Sequence, residues 1–244
     1  YGEIKSQAEA WAQAIELTCT TSLPKADDYQ QVIFTGCGST YYLSLAAAAL
    51  YQELTGRAAR AVPAGELLLN PKTVLRDEIS HLLIAVSRSG TTSETVKAVQ
   101  NFKAEKRGDV VVITNYDETL SRLADVDIVI DKGQEKSVAQ TRSYASMYVA
   151  ATALCARIAG RQDLIDSMSR LPQAGDLRTA ERGESLGTFR HTITRHDYTV
   201  AVWRATPVKA PKGFRWFSKA ELATLPLATM ARKALELAGM PAAV

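Results

Sequence analysis

The chain reads as an α/β protein: a flavodoxin-like three-layer αβα sandwich around a five-stranded parallel sheet, followed by a small α+β C-terminal appendage. Three observations predict it. Five short apolar runs, near 32–35, 58–62, 82–86, 110–114 and 126–130, alternate with stretches of helical periodicity. The runs are apolar on both faces, as strands covered by helices on both sides must be. Hydroxyl- and glycine-rich turns follow the first and third runs and open directly into helices. Right-handed crossovers leave few topologies. We expect the order in which strands 32–35 and 82–86 are neighbours, with both turns at the topological switch point where such sheets bind ligands.

An opening helix runs from about Ile4 to Leu17, with Ile4, Ala8, Trp11 and Ile15 on one stripe. Strand 31–35 leads through Gly36-Cys37-Gly38-Ser39-Thr40 into a helix from Tyr41 to Leu54. Two glycines let backbone approach a ligand, and Ser39 and Thr40 can cap the helix or touch the ligand. A dinucleotide-binding loop would want a third Gly near Tyr41 and an acid at the end of the next strand, which instead ends in Pro63. A phosphate-binding Gly-Lys-Ser/Thr loop is absent as well.

The turn after Leu82–Val86 is the richest in chemistry: Ser87-Arg88-Ser89-Gly90-Thr91-Thr92-Ser93-Glu94-Thr95. Hydroxyls and unpaired backbone N–H groups converge there on the positive end of a helix carrying Val96, Val99 and Phe102 on one face. That is an anion site, suited to a phosphate monoester that must later leave. Further on, Val126–Ile130 runs into Asp131-Lys132-Gly133-Gln134-Glu135-Lys136-Ser137-Val138-Ala139-Gln140-Thr141-Arg142-Ser143, and an alanine-rich helix from Tyr144 to Ile158 follows.

These three segments, with the opening Gly2-Glu3-Ile4-x-x-Gln7-x-x-Ala10-Trp11, resemble the SIS (sugar isomerase) family of phosphosugar-binding domains over about residues 1–160. The likeness is to the first SIS half of glucosamine-6-phosphate synthase-type proteins and of sugar-phosphate isomerases and deaminases. It implies that Ser87, Ser89 and Thr92 hold the sugar phosphate, while Gly38, Ser39, Thr40 and the Val138-Ala139 backbone touch the sugar. Departures from the family pattern are Arg88 for the frequent Gln, Gln140 for Ser and Arg142 for Lys. Arg142 keeps the charge but changes the donor geometry.

With 244 residues, 46% of them hydrophobic, the chain can bury one good core and a small second one. No apolar run approaches the roughly twenty residues that cross a bilayer. Cys19, Cys37 and Cys155 make neither a metal-ligand spacing nor an even disulfide set, so a reduced, cytoplasmic protein is expected, with no metal and no cofactor. The chain starts inside a helix without Met, and we expect an N-terminal truncation.

We expect domains at 1–160 and 188–244, joined by a polar linker over 161–187 that Pro172, Gly175, Gly183 and Gly187 punctuate. From Arg178 onward 11 Lys and Arg face 5 Asp and Glu. Phe189 to Trp203 alternates like one exposed-face strand, on which the odd spacing of His191 and His196 keeps them on opposite faces. Ser218-Lys219-Ala220-Glu221 is a capping box, and Thr229 to Ala238 a helix closed by Gly239. Through Phe189-Arg190-His191-x-Ile193-Thr194-x-His196, Trp216-Phe217 and Leu225–Thr229, this tail resembles the end of the Nudix-like C-terminal domain of A/G-mismatch adenine DNA glycosylases. Its charge, spread over so many residues, falls short of a dedicated nucleic-acid surface.

Aldose–ketose isomerisation needs a base between C1 and C2 and an acid for ring opening. In two-SIS relatives these come largely from a second half that this sequence lacks. Glu135 is the first candidate base and Glu66 the second; each also suits a capping or solvated role. The expected function is phosphosugar binding by a SIS module. One alternative is an active sugar-phosphate isomerase, aminotransferase or deaminase completed by oligomerisation. Another is a DNA-repair role through the tail, for which the sequence lacks a helix-hairpin-helix and four clustered cysteines. A homodimer is expected, packed through the alanine-rich helix. Neither membrane nor nucleic acid is an expected partner.

Overall fold

The computed structural model describes residues 2–137, 140–174, 180–193, 196–207, 217–222, 224, 227 and 229–240. It divides into two units, residues 1–175 and 176–244. In the first, helices α1 (Gly2–Lys5) and α2 (Gln7–Thr20) precede strand β1 (Gln31–Gly36), helix α3 (Ser39–Thr55) and strand β2 (Ala59–Pro63). Helices α4 (Ala64–Leu69) and α5 (Pro71–Val74) lead to β3 (His81–Ser87), α6 (Ser93–Ala104), β4 (Gly108–Thr114), α7 (Thr119–Leu123) and β5 (Val126–Val129). The unit closes with α8 (Arg142–Ile158), α9 (Gln162–Met168) and α10 (Leu171–Ala174).

All four strand pairings are parallel, in the order β2-β1-β3-β4-β5, so the expected sheet and its flavodoxin-like order are the observed ones. Alternation along the strands builds two cores. Val32, Phe34, Leu82, Ile84, Val111 and Ile113 pack on one face with Ile15 of α2, Leu43 and Tyr51 of α3, and Met147 and Leu154 of α8. Ile33, Leu83, Ala85, Val110 and Val112 face the other way, against Leu67 of α4, Phe102 of α6 and Leu120 of α7. The result is helix, sheet, helix in three layers.

Two expectations need correction here. The alanine face of α8 is buried within the chain: Ala150, Ala151, Ala153 and Ala156 are at most 1% exposed. Small side chains let α8 approach α2 and α3 closely, so this face is a core surface and is not open to a second copy. The stretch 161–187, expected as a linker, carries α9, α10 and the first half of a strand. Ile165 and Met168 of α9 join the core beneath α8, which carries the first unit past 160.

In the second unit β6 (Ala180–Ile193) and β7 (His196–Pro207) form an antiparallel hairpin, followed by α11 (Lys219–Leu222) and α12 (Thr229–Leu237). The single strand expected over 189–203 is therefore two. Each supplies the backbone partners that the other needs. Position 193 pairs with 196, so 191 and 196 fall on the same side of the ladder. The capping box forms as expected. The Ser218 amide donates to the Glu221 carboxylate at 2.8 Å, and the Glu221 amide to the Ser218 hydroxyl at 3.3 Å. Lys233 of α12 donates to the Arg190 carbonyl at 3.2 Å and lies 5.8 Å from the centre of the Phe189 ring. Among the described residues, no helix is long and apolar enough to cross a membrane.

His81 opens β3 fully buried, edge-on to Phe102, with its Nε2 accepting the Arg76 amide at 3.4 Å. Gly108 beside it has φ +143°, and a Cβ there would lie 1.8 Å from the His81 carbonyl oxygen. We expect Gly108→Ala to cost about 2–4 kcal/mol in urea unfolding. Burial holds the imidazole below its ordinary value of 6.5, so the unfolded chain protonates first as the pH falls through 6.5. Stability should therefore be greater at pH 7.5 than at pH 5.5. His81→Gln should shrink that difference; an unchanged difference would assign it to other groups.

Candidate functional site

The parallel sheet brings the two glycine- and hydroxyl-rich turns together, because β1 and β3 are neighbours and both turns leave their C-terminal ends. In the first, Gly36 admits the Thr40 side chain: a Cβ at 36 would lie 2.6 Å from the Thr40 hydroxyl and 2.7 Å from its carbonyl carbon. Gly38 then takes φ +61° to start α3. The buried Thr40 hydroxyl accepts the Cys37 amide and donates to the Cys37 carbonyl, each at 3.0 Å. Its work is to lock the turn. Ser39, one residue earlier, is exposed with Cys37 and Gly38 at the surface of the turn.

In the second turn Ser87 is 2% exposed, and its hydroxyl is 3.4 Å from that of Thr92. The Ser89 hydroxyl accepts the Thr91 amide at 3.2 Å and pairs with the Thr91 hydroxyl at 3.1 Å. Gly90, at φ +67°, packs close to the Tyr116 carbonyl and the Glu118 side chain. Thr92 is the N-cap residue of α6, yet no side chain caps that helix. The first amides of a three-turn helix thus lie beside three hydroxyl side chains, Ser87, Ser89 and Thr92, and Glu94 in the first turn makes no capping hydrogen bond to them. That combination binds oxyanions.

The third loop comes back from the edge of the sheet and is tied down at many points. Arg88 reaches out of the second turn and donates through Nη2 to the carbonyls of Glu135 at 2.7 Å and Ser137 at 2.9 Å. The Tyr116 hydroxyl donates to the same Glu135 carbonyl at 3.2 Å, and the Gln134 amide group to the Asn115 carbonyl at 2.9 Å. From the N-terminal side, Glu3 accepts the Lys136 amide at 2.6 Å and Gln13 the Lys132 amide at 2.9 Å. Arg142 turns to the Gln134 carbonyl and to Ser6, on whose hydroxyl it lies at 2.5 Å. Sequence reasoning flagged Arg88 only as a departure from the family pattern; its two carbonyl partners lie some fifty residues away and have no local signal.

Glu135 is 5% exposed and its carboxylate is fully engaged. It accepts the Thr141 amide at 2.8 Å and the hydroxyls of Thr141 and Ser143 at the start of α8. Burial pushes its pKa up, but the hydrogen bonds from Ser143 and Thr141 outweigh burial and leave it below the usual carboxylate value. Glu66 sits exposed in the first turn of α4, which follows β2. Val138 and Ala139, expected to offer backbone to the sugar, lie outside the described residues.

This geometry has counterparts. Residues 27–157 match the SIS domain family. The chain is 28% identical over 138 residues to glutamine–fructose-6-phosphate aminotransferase [isomerizing] of Helicobacter pylori, covering 57% of this chain and 23% of that protein. It is 31% identical over 129 residues to the Saccharomyces cerevisiae enzyme of the same name, covering 52% and 17%. The chain thus spans about a fifth of the curated relatives it matches. Among solved structures, the C-terminal domain of glucosamine-fructose-6-phosphate aminotransferase from Francisella tularensis superposes with TM-score 0.62 at 18% identity, over 70% of this chain and 53% of that one. Glucosamine-6-phosphate deaminase from Thermotoga maritima gives 0.55 at 22% identity, over 70% and 54%. At such identities the superpositions speak for the fold. The likeness of the tail to a DNA glycosylase domain finds no support in these comparisons. With more than half of its length matched by the family, the chain belongs to the SIS domain family.

Proposed function

We propose that this chain binds a phosphorylated sugar, a hexose or hexosamine phosphate, with its phosphate on the start of α6. The observation that carries this reading is the uncapped α6 N-terminus ringed by Ser87, Ser89 and Thr92. The relatives support the ligand class, since their names place fructose 6-phosphate and glucosamine 6-phosphate among their substrates. Exposed Ser39 and Gly38 of the neighbouring turn are assigned to the sugar hydroxyls, with the Val138–Ala139 backbone on its other side. Thr40 supports this contact by holding the turn.

Binding without turnover is the form of this function that the site favours. A general base needs a lone pair free to take a proton and a pKa near the working pH. Glu135 is poorly suited, since both its oxygens already accept from Thr141 and Ser143 and its pKa is lowered. We assign it to fixing the third loop at the head of α8. Isomerase, aminotransferase or deaminase chemistry would then require groups from another chain or from sequence beyond this one. A homodimer in the cytoplasm is consistent with this, and exposed Tyr42 and Leu45 on α3 are the apolar residues it would cover.

Glucose 6-phosphate, fructose 6-phosphate and glucosamine 6-phosphate should raise the melting temperature, whereas the free sugars should not. At one hundred times its dissociation constant a ligand adds about 2.7 kcal/mol. Ser87→Ala or Thr92→Val should weaken binding about tenfold or more, the worth of a hydrogen bond to a charged group. Failure of all three phosphates to stabilise the chain would end the reading.

Ketose-to-aldose phosphate conversion by the isolated chain should be slight and indifferent to Glu135→Gln. The same substitution should destabilise the fold by about 1–3 kcal/mol near neutrality. Since the folded pKa is depressed, the carboxylate stabilises the fold above its ordinary value of 4.5 and loses that effect as the pH falls below it. The gap between wild type and variant should therefore close at acid pH in urea titrations. Robust turnover that Glu135→Gln abolishes would instead make Glu135 the base.

A further inference from the structure

At the end of the sheet opposite the hydroxyl turns, a cleft of about 360 Å³ opens between the start of β1, the edge strand β2 and the α5 segment. Its wall on β2 carries Arg60, and its wall on and after α5 carries Lys72 and Arg76. None of the three forms an ion pair among the described residues, and no carboxylate lines the cleft. Of the acids beside it, Asp77 pairs with Arg107 and feels Lys72 only at longer range, and Asp27 pairs with Arg57. This gathering does not reflect a generally basic surface, because residues 1–177 hold 18 Lys and Arg against 21 Asp and Glu. Like charges held together without a direct ion pair repel one another, and an anion seated among them relieves that cost.

The fourth polar group points to the same ligand. Gln30 uses its amide oxygen to accept the Ser80 amide at 2.9 Å and the Ser80 hydroxyl at 2.6 Å. That fixes the orientation of the amide and leaves its NH₂ as the end without a partner. The side-chain donors Arg60, Lys72, Arg76 and Gln30 therefore surround a floor that includes Val74 and Ile79. Guanidinium forks and an ammonium on two walls match a phosphoryl dianion better than a single carboxylate. The volume is that of a small-molecule site.

We propose that this cleft binds a small phosphoryl-bearing ligand, at a site separate from the turns at Gly36–Thr40 and Ser87–Thr92. The probe is inorganic pyrophosphate, titrated calorimetrically into the wild-type chain, the S87A/T92V chain and the R60Q/K72Q/R76Q chain. All three altered cations are exposed, so the triple variant should keep the wild-type melting temperature. Saturable binding should persist in S87A/T92V. It should weaken about tenfold or more in R60Q/K72Q/R76Q, the consequence of losing charged donors, and should weaken with added salt. Absence of saturable binding to the wild-type chain, its loss in S87A/T92V, or equal affinity in R60Q/K72Q/R76Q would each overturn the proposal. Loss in S87A/T92V would move the pyrophosphate to α6, and whether sugar phosphates bind there is read separately from the melting temperatures.

Discussion

Complete burial of β3 is the constraint on which the first unit rests. All seven residues from His81 to Ser87 are buried, so the strand needs parallel partners on both edges and helices on both faces. Its even-numbered apolar residues enter one core and Leu83 and Ala85 the other, which obliges helices to pack above and below the sheet. The same burial delivers Ser87 and the start of α6 to a fixed point at the C-terminal end of the sheet. A displaced register would expose one core face at once, since a slip of one residue reverses every side chain. The position of the candidate phosphate site is thus set by apolar packing more than by its own hydrogen bonds.

The third loop solves a different problem. It has little apolar content and starts from β5 at the far edge of the sheet, yet it must reach the second turn beside β3. Polar anchors do this: Arg88 and Tyr116 converge on the Glu135 carbonyl, while Thr141 and Ser143 hold the Glu135 carboxylate at the head of α8. A buried carboxylate left without such donors would be costly, and with them it is a rigid joint. Glu3, Gln13 and Ser6 add ties from the N-terminal helices. The loop therefore depends on the opening helices, which explains how residues far outside the turns bear on the site.

The second unit is built on other principles. Its long hairpin carries register shifts around Ser185 and Gly187, and a Cβ at Gly183 would lie 2.8 Å from the Arg204 carbonyl oxygen. Bulges of this kind raise local twist and break an otherwise flat ladder. Helix α12 secures it through Lys233, which combines a carbonyl hydrogen bond with a cation over the Phe189 ring. The basic excess of the tail lies on this unit, apart from the net acidic first unit.

Local order was legible in the sequence wherever one residue type has one physical use. The five apolar runs could only be buried strands, Gly36 and Gly38 could only mark a close turn, and Ser218 with Glu221 could only cap a helix. Hydroxyls at the start of α6 likewise announced a candidate anion site, because the helix end and the side chains sit within a few residues of one another. Tertiary structure decided what depends on partners distant in sequence. It buried the alanine face of α8 against α2 and α3, and it turned one alternating run into the two strands of a hairpin. It also engaged Glu135, a plausible base from its motif, in hydrogen bonds to both carboxylate oxygens. Periodicity and turn chemistry reside in the chain itself, whereas burial and charge pairing arise only when segments far apart in the sequence meet.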